Sequence, residues 1–205
     1  MFNNINKKKL GNILFYLTSK IEHLSLTKAL KLLYLIDETS VKRTGVPITW
    51  SDYKVWKYGP VPVDIYDEIK YGNNYFNTNP PLQEYLKVDR NYNDERKQEE
   101  IYLLANKQHK FDDSEFSDYE ISLMDEIILK YGNKTAKELI KILHKEGTLW
   151  DKVVKEKKLQ KSFEIRNNKS NYSIVFDELI KDDEIKSLAM KAALESLELQ
   201  SQLGA

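Results

Sequence analysis

Residues 26–66 read LTKALKLLYLIDETSVKRTGVPITWSDYKVWKYGPVPVDIY, and the first half of this stretch predicts a buried helix. Ser25 is placed to cap the start of the helix, and Gly45 marks its end. Apolar side chains cover two adjoining faces, which is typical of a helix enclosed by other elements. These faces carry Leu26, Ala29, Leu30, Leu32, Leu33, Ile36 and the acidic Asp37.

The second half of the stretch is aromatic and rich in proline. Trp50, Tyr53, Trp56 and Tyr58 fall close together and run directly into GPVP at residues 59–62. Proline restricts φ and glycine permits close backbone approach, so we expect a rigid loop followed by a short helix. The aromatic side chains are interpreted either as core packing or as a surface for a protein partner, because Trp and Tyr are enriched at binding hot spots. The candidate partner-binding residues are Trp56, Tyr58, Gly59, Pro60, Val61 and Pro62.

The composition is that of a globular protein of 205 residues, long enough for one core domain with an appendage. Cysteine is absent, which excludes disulfides, cysteine-ligated zinc and thiol catalysis. No apolar run approaches the roughly 18 residues that a membrane helix needs, so no membrane partner is expected. Residues 1–9 lack the apolar region of a secretory signal, and the cytoplasm is therefore the expected location.

Charge is unevenly distributed along a chain whose formal net charge is zero. Residues 84–126 hold 13 acidic and 6 basic residues, whereas residues 130–169 hold 12 basic and 5 acidic residues. Such segments are commonly solvated faces that neutralise one another. The alternative is a basic patch for nucleic acid or an acidic partner. Few aromatic residues interleave with the basic segment, so a nucleic acid is not expected to be the partner.

Several shorter elements complete a mainly α, compact helical domain. Apolar residues at helical spacing predict an N-terminal helix over residues 10–21, and residues 72–81 are typical of a loop. The apolar segments 85–88 and 101–104 are predicted to pair as a small β-hairpin. The polar run 89–100 between them is typical of a disordered segment.

Two capping boxes predict where the next two helices begin. Ser117 with Glu120, and Thr135 with Glu138, have the required spacing. The first helix is expected to point Ile121, Met124, Ile128 and Tyr131 inward, and the second Leu139, Ile142 and Leu143.

The chain is predicted to divide into a domain at residues 1–158 and a C-terminal helical extension at residues 159–205. Residues 159–171 are polar and are interpreted as a linker, with helices expected over 174–180 and 185–203. The last helix could pack on its own domain, bind a partner, or join two copies into a homo-oligomer. Its expected packing side carries Ile185, Leu188, Ala189, Ala192, Ser196, Leu199 and Leu203.

The sequence shows no recognisable catalytic, cofactor or metal site. Its histidines are His23, His109 and His144, and no two have a metal-binding spacing. His144 is interpreted as a satisfied packing histidine. Asp37 is the notable acid, because a carboxyl group on an apolar helix must pair, cap a backbone or shift its pKa. We expect it to pair with a tyrosine hydroxyl or with a backbone amide near Gly59.

These residues resemble the SocA-like antitoxin, or Panacea, domain family. The matching segments are KLLYLID at residues 31–37, GVPIT at 45–49 and YGPVP at 58–62, with a weaker block over 131–150. The resemblance implies a mainly helical antitoxin of bacteria and their phages. Carried over, the family motif falls on Tyr34, Asp37, Tyr58, Gly59, Pro60 and Val61, and also on Tyr66, His144 and Trp150. We expect Tyr34, Asp37, Tyr66, His144 and Trp150 to be structural, and part of the loop 56–62 to be surface.

The resemblance implies a cognate toxin protein as the partner, neutralised by direct binding and without catalysis. A variant of this function, also found in the family, is an adaptor that delivers the toxin to a protease. An enzyme using Asp37 or His144 near the loop 58–60 is a third hypothesis, and a nucleic-acid binder using residues 130–169 is a fourth.

Overall fold

The computed structural model describes residues 7–71, 82–95, 97–165 and 168–202. Over these residues the fold is mainly α-helical, as predicted, with two small antiparallel sheets. The helices are α1 (Lys7–Lys20), α2 (Leu26–Thr44), α3 (Val63–Tyr71), α4 (Asp118–Tyr131), α5 (Ala136–Leu143), α6 (Leu149–Glu156), α7 (Leu159–Glu164) and α8 (Glu184–Gln202). The strands are β1 (Leu24–Ser25), β2 (Tyr53–Trp56), β3 (Gly59–Pro62), β4 (Leu86–Asn93) and β5 (Gln98–Ala105). The loop predicted at residues 72–81 lies outside the described residues.

Helix α2 is the centre of the fold, as its apolar faces predict. The Ser25 hydroxyl accepts a hydrogen bond from the amide of Lys28, and Gly45 ends the helix in the left-handed conformation. Every residue from 31 to 38 is buried. Helices α3, α4, α5 and α8 and strands from both sheets contact α2. Residues on α2 can therefore act on several elements at once.

Residues 53–62 form a hairpin instead of the rigid loop expected from the sequence. Strands β2 and β3 pair antiparallel, with Tyr53 opposite Pro62 and Trp56 opposite Gly59. Lys57 and Tyr58 are the two residues of the turn. Helix α3 begins directly after Pro62, which confirms the predicted helix start.

Residues 168–174 run along the free edge of β2. The Val55 amide donates to the Tyr172 carbonyl at 2.8 Å, and the Ile174 amide donates to the Tyr53 carbonyl at 2.8 Å. The Lys57 amide donates to the Asn168 carbonyl at 2.9 Å. Residues 159–171 are predicted to be irregular, but α7 occupies the first part of this range, because Leu159 and Phe163 are buried in the core. The division at residue 158 stays a prediction.

The second hairpin confirms the pairing predicted for residues 85–88 and 101–104. Strands β4 and β5 pair from Leu86 with Ala105 to Asn93 with Gln98, and β1 extends the sheet in the order β1-β5-β4. The expectation of disorder in residues 89–100 is wrong for the described part of that run. Its polar residues belong to the two strands, where one face is open to solvent and needs no apolar side chains.

Both predicted capping boxes are present at the starts of α4 and α5. In α5, Leu139 and Leu143 are buried as expected. The inward face of α4 is rotated from the predicted one: Met124 is buried together with Leu123 and Ile127. The other predicted residues, Ile121, Ile128 and Tyr131, are partly buried at the margin of the core.

Helix α8 packs on the domain through a face that the sequence analysis did not choose. Met190 joins Val41 and Ile180 in a small second core. The prediction that the side with Ile185, Leu188 and Leu199 packs on the domain is wrong, because these side chains are 82%, 66% and 59% exposed. The alternative, that this side packs on a partner, stays a prediction. Leu203 lies outside the described residues. None of the helices in the described ranges combines the length and apolarity needed to cross a membrane.

Candidate partner-binding surface and the buried groups beneath it

The β2–β3 turn presents one large side chain to solvent. Tyr58 is 53% exposed, Trp56 is partly buried, and the four residues of β3 are buried. Of the six candidate partner-binding residues, only Trp56 and Tyr58 therefore offer side-chain surface in this conformation. Gly59, Pro60, Val61 and Pro62 lie behind them and shape the turn.

Two buried side chains hold this turn from below. The Trp150 Nε1 donates to the Trp56 carbonyl at 2.8 Å, and the Lys31 Nζ donates to the Pro60 carbonyl at 2.6 Å. The first bond reaches the turn from α6 and the second from α2. The backbone on both sides of Tyr58 is thus fixed to two different helices.

Lys31 is the important residue that the sequence analysis missed. Its side chain is fully enclosed, with 1% of the residue exposed, and burial lowers its pKa to about 7. The sequence feature that could have identified Lys31 is the same one that identified Asp37, namely a charged residue on an apolar helix. Lys31 lies six positions earlier on the same helix and is subject to the same physical argument.

His144 packs against Trp150, but its Nε2 atom has no hydrogen-bond partner among the described residues. The two rings stack with centroids 3.6 Å apart and an interplanar angle of 4°. This stacking confirms the predicted packing role. The Nε2 atom is buried and makes no hydrogen bond with the described residues, so the prediction that the imidazole is fully hydrogen-bonded is wrong. Burial, and then the charge of Lys31, lower the pKa of His144 to about 4, which keeps the imidazole neutral near pH 7.

Asp37 is a second buried centre and organises the segment that precedes β2. The Ile48 and Thr49 amides each donate to Oδ1 at 2.8 Å. The Tyr53 hydroxyl donates to Oδ2 at 2.8 Å, and the Thr49 hydroxyl donates to the same oxygen. The predicted pairing with a tyrosine hydroxyl is confirmed, but the amides belong to residues 48 and 49 and not to the surroundings of Gly59. Burial raises the pKa of Asp37, and the four donors oppose that rise.

The motif tyrosines are placed around these buried centres. Tyr34 is buried, donates to the Glu38 carboxylate at 3.2 Å, and lies edge-on to Tyr53 with ring centroids 5.2 Å apart. Tyr66 on α3 lies edge-on to Trp56, with centroids 4.9 Å apart. Tyr34 therefore contributes to the core, whereas Tyr66 extends the aromatic surface beside the turn.

Lysines approach the same aromatic rings. The Lys169 Nζ is 4.4 Å from the Trp56 ring centroid and 5.5 Å from that of Tyr66, and the Lys57 Nζ is 5.9 Å from the Tyr58 ring centroid. The basic segment 130–169 has few aromatic residues of its own, but the fold brings Trp56 and Tyr66 close to its Lys169. We call Trp56, Lys57, Tyr58, Tyr66 and Lys169 the aromatic–lysine surface.

A Gly59→Ala substitution tests the close packing under the turn. Gly59 has a φ of +103°, and a Cβ there would lie 3.2 Å from Lys31 Cε and 3.3 Å from Lys31 Nζ. We expect the free energy of unfolding to fall by about 2–3 kcal/mol, from backbone strain and crowding together. Urea unfolding measures the change.

Gly147→Ala is the matched control. Gly147 has a φ of +82°, and its added Cβ would meet nothing within 4 Å, so only backbone strain of about 1 kcal/mol is expected. Equal losses in the two variants would show that Lys31 is not tightly packed against Gly59.

Comparison with known families identifies a match. The sequence model of the family described as "Antitoxin SocA-like, Panacea domain" matches residues 30–151, more than half of the chain. This range includes most of α2, the β2–β3 hairpin, His144 and Trp150, but not α7 or α8. Neither a curated protein nor a solved structure shows significant similarity to the chain.

Proposed function

Since the chain belongs to the SocA-like, Panacea domain family of antitoxins, we propose that it neutralises a cognate protein toxin by binding it directly. The observation that carries this proposal is the exposed Tyr58 on a turn whose flanking carbonyls are bonded to buried Trp150 and Lys31. The aromatic–lysine surface is the proposed toxin-binding site.

Rigidity supports this assignment. A surface that is already ordered loses little conformational entropy on binding, so more of the contact energy appears as affinity. Tyr58 supplies a large amphipathic side chain with few rotatable bonds, of the kind enriched at hot spots. The hydrogen bonds below the turn keep that side chain on a fixed support.

Charge indicates the kind of toxin surface that would fit. Lys57 and Lys169 place two positive charges beside the exposed rings. The complementary toxin face is therefore apolar at its centre and acidic at its rim. Rim charges act mainly on the association rate, so higher salt should slow association more than it speeds dissociation.

Co-expression with the product of the adjacent gene tests the proposal. We expect the toxin to stop growth alone, and growth to recover when this chain is co-expressed and purifies as a complex with it. A neighbour protein that stays free and toxic would reject direct neutralisation. The protease-adaptor variant also predicts binding, but with toxin loss that stops when the protease is removed.

A Tyr58→Ala variant tests the binding surface. We expect the dissociation constant of the toxin complex to rise at least tenfold, or by about 1.4 kcal/mol, because an anchoring aromatic side chain is lost. Titration calorimetry with purified toxin measures the change, and thermal unfolding confirms that the variant is folded.

Tyr119→Ala is the control for this variant. Tyr119 is 36% exposed at the start of α4 and lies near Arg43 at the C-terminal end of α2, whereas the turn lies over Lys31 in the first half of that helix. Its loss therefore removes a surface tyrosine that is outside the proposed site. Unchanged affinity in both variants, with growth still rescued, would place the toxin elsewhere on the chain and leave the antitoxin function standing.

The enzyme hypothesis has less support. Both carboxylate oxygens of Asp37 are occupied by donors, and the residue is fully buried. His144 lies beside Lys31 rather than Asp37, and the Lys31 side chain is enclosed. In this conformation a substrate has no access to Asp37 or Lys31, and the Nε2 atom of the partly exposed His144 is buried.

A further inference from the structure

Helix α8 has apolar side chains on two opposite faces. Its inner face carries Met190, which is buried, and Leu194, which packs against the small second core. The exposed Ile185, Leu188 and Leu199 project from the opposite side, because residues 185, 188, 192, 195 and 199 follow one stripe at 100° per residue. The outer stripe has coiled-coil spacing, with Ile185, Ala192 and Leu199 at one repeating position and Leu188 at the other.

The two borders of this outer stripe differ. Ala189 and Ser196 form one border, which is small and uncharged. Glu184, Lys191 and Glu198 form the other, at seven-residue intervals. A helix that packs on the stripe will therefore meet a close-packing side and a charged side.

We propose that the outer stripe of α8 binds the same stripe of a second copy of this chain, with the two helices antiparallel. In the proposed register Leu188 faces Leu199 of the second copy, and Lys191 faces Glu198 of the second copy. The twofold axis repeats each contact, so the interface holds two leucine pairs and two ion pairs. Ala189 then faces Ser196 of the second copy, which permits close approach.

Charge selects this register among the antiparallel alternatives. If one helix is shifted by a heptad in one direction, Lys191 faces Lys191 of the second copy and Glu184 faces Glu198 of the second copy. Sliding it in the other direction places Glu198 against Glu198. Among the registers in which more than half of α8 overlaps, only the proposed one opposes unlike charges along this border.

A parallel pair is disfavoured by the stripe itself. Parallel helices would bring Glu195 against Glu195 of the second copy in the middle of the interface. The antiparallel register places Glu195 opposite Ala192, where the carboxylate can reach solvent.

The rest of the molecule leaves room for this pairing. Because the inner and outer faces of α8 are about half a turn apart, each domain lies on the outside of the helix pair. The 19 residues of α8 span about 28 Å, enough for nearly three heptads. No residue of the aromatic–lysine surface belongs to α8, so the proposed dimer interface and the proposed toxin-binding surface use different residues.

Sedimentation of the full chain over a range of concentrations tests the proposal. We expect a monomer–dimer equilibrium, with Leu188→Ser weakening the dimer about 100-fold because two leucine pairs are lost. Leu129→Ser, at an exposed leucine on α4, is the control and should leave the dimer unchanged. Both positions are exposed, and thermal unfolding verifies that the variants stay folded.

Charge reversal tests the register. Lys191→Glu and Glu198→Lys should each weaken the dimer about tenfold, since two attractive pairs become repulsive in each variant. The double variant Lys191→Glu/Glu198→Lys should recover the wild-type affinity.

Three results would overturn the proposal. The first is a wild-type chain that stays monomeric up to millimolar concentration. The second is a dimer that Leu188→Ser leaves intact. The third is a monomer whose toxin binding is lost in Leu188→Ser, which would assign the stripe to the toxin instead of a second copy. Because Tyr58→Ala tests the toxin site separately, either conclusion can fail without the other.

Discussion

An Asp37→Ala variant is expected to lose about 3–5 kcal/mol of its free energy of unfolding. The substitution removes the acceptor of four hydrogen bonds, from the Ile48 and Thr49 amides and the Thr49 and Tyr53 hydroxyls. These donors are buried, so once the carboxylate is removed their desolvation is no longer offset. For a chain of 205 residues this corresponds to a fall in Tm of about 10 °C.

Asp37→Asn should cost less than Asp37→Ala. An asparagine keeps one carbonyl oxygen for the two backbone amides, while the Thr49 and Tyr53 hydroxyls can rotate to accept from its NH₂ group. Asp52→Ala is the control in the same loop, where the exposed carboxylate pairs with Lys54 and contributes at most about 1 kcal/mol. Urea unfolding of the three variants gives the order. An Asp37→Ala loss no larger than that of Asp52→Ala would mean that the network does not stabilise the fold.

The features predicted correctly from the sequence are those set by short-range chemistry. Ser25, Gly45 and the two capping boxes act within one helical turn, so their spacing is visible in the chain. The pairing of Asp37 follows from one local fact, an acid on an apolar helix. The kind of group that pairs with Asp37 could therefore be predicted. Which backbone amides pair with it depended on the path of the chain after α2.

The features that were missed depend on distant parts of the chain. Strand β3 was not predicted because it contains Pro60 and Pro62, and proline is unfavourable inside a sheet. Strand β3 lies at an edge, where proline is tolerated. The segment 168–174 is extended only because it lies beside β2. Helix α8 offers two apolar faces, and periodicity cannot say which of them the domain covers.

A single helix links these buried centres to the proposed binding surface. Asp37 fixes the entry to β2 through residues 48, 49 and 53, and Lys31 fixes the backbone of β3 at Pro60. The two residues therefore clamp α2 to both ends of the segment that carries Tyr58. Loosening either clamp should weaken toxin binding indirectly, through the order of the turn.

The Lys31→Met variant is expected to reverse its stability relative to wild type as pH rises. Burial lowers the pKa of Lys31 from 10.5 in the unfolded chain to about 7 in the folded one. Between these values the unfolded chain holds a proton that the folded chain lacks, so the wild-type free energy of unfolding rises with pH. The shift corresponds to about 5 kcal/mol, with the full penalty on the wild type below pH 7.

Methionine fills the same space without a charge but leaves the Pro60 carbonyl without its donor, at a cost of about 1–3 kcal/mol. At pH 6 the variant should therefore be more stable than wild type by about 2–4 kcal/mol, and near pH 10 it should be less stable. Burial also raises the pKa of Tyr34 and Tyr53, but both proteins contain these tyrosines, so their effect cancels in the difference.

Urea unfolding of the two proteins at pH 6, 8 and 10 measures this dependence, and Arg43→Met is the control for removing a charge from an exposed position of α2. Arg43 pairs with Glu126 at the surface, so that variant should stay within about 1 kcal/mol of wild type. A Lys31→Met difference that does not change with pH would mean that Lys31 keeps its proton throughout. In that case the amine under the turn is a permanent charge, and the wild type must accommodate it by contacts other than the single bond to Pro60. A sign reversal would show that the clamp under the proposed toxin-binding surface is a neutral amine above pH 7, which can hold the Pro60 carbonyl without an enclosed charge.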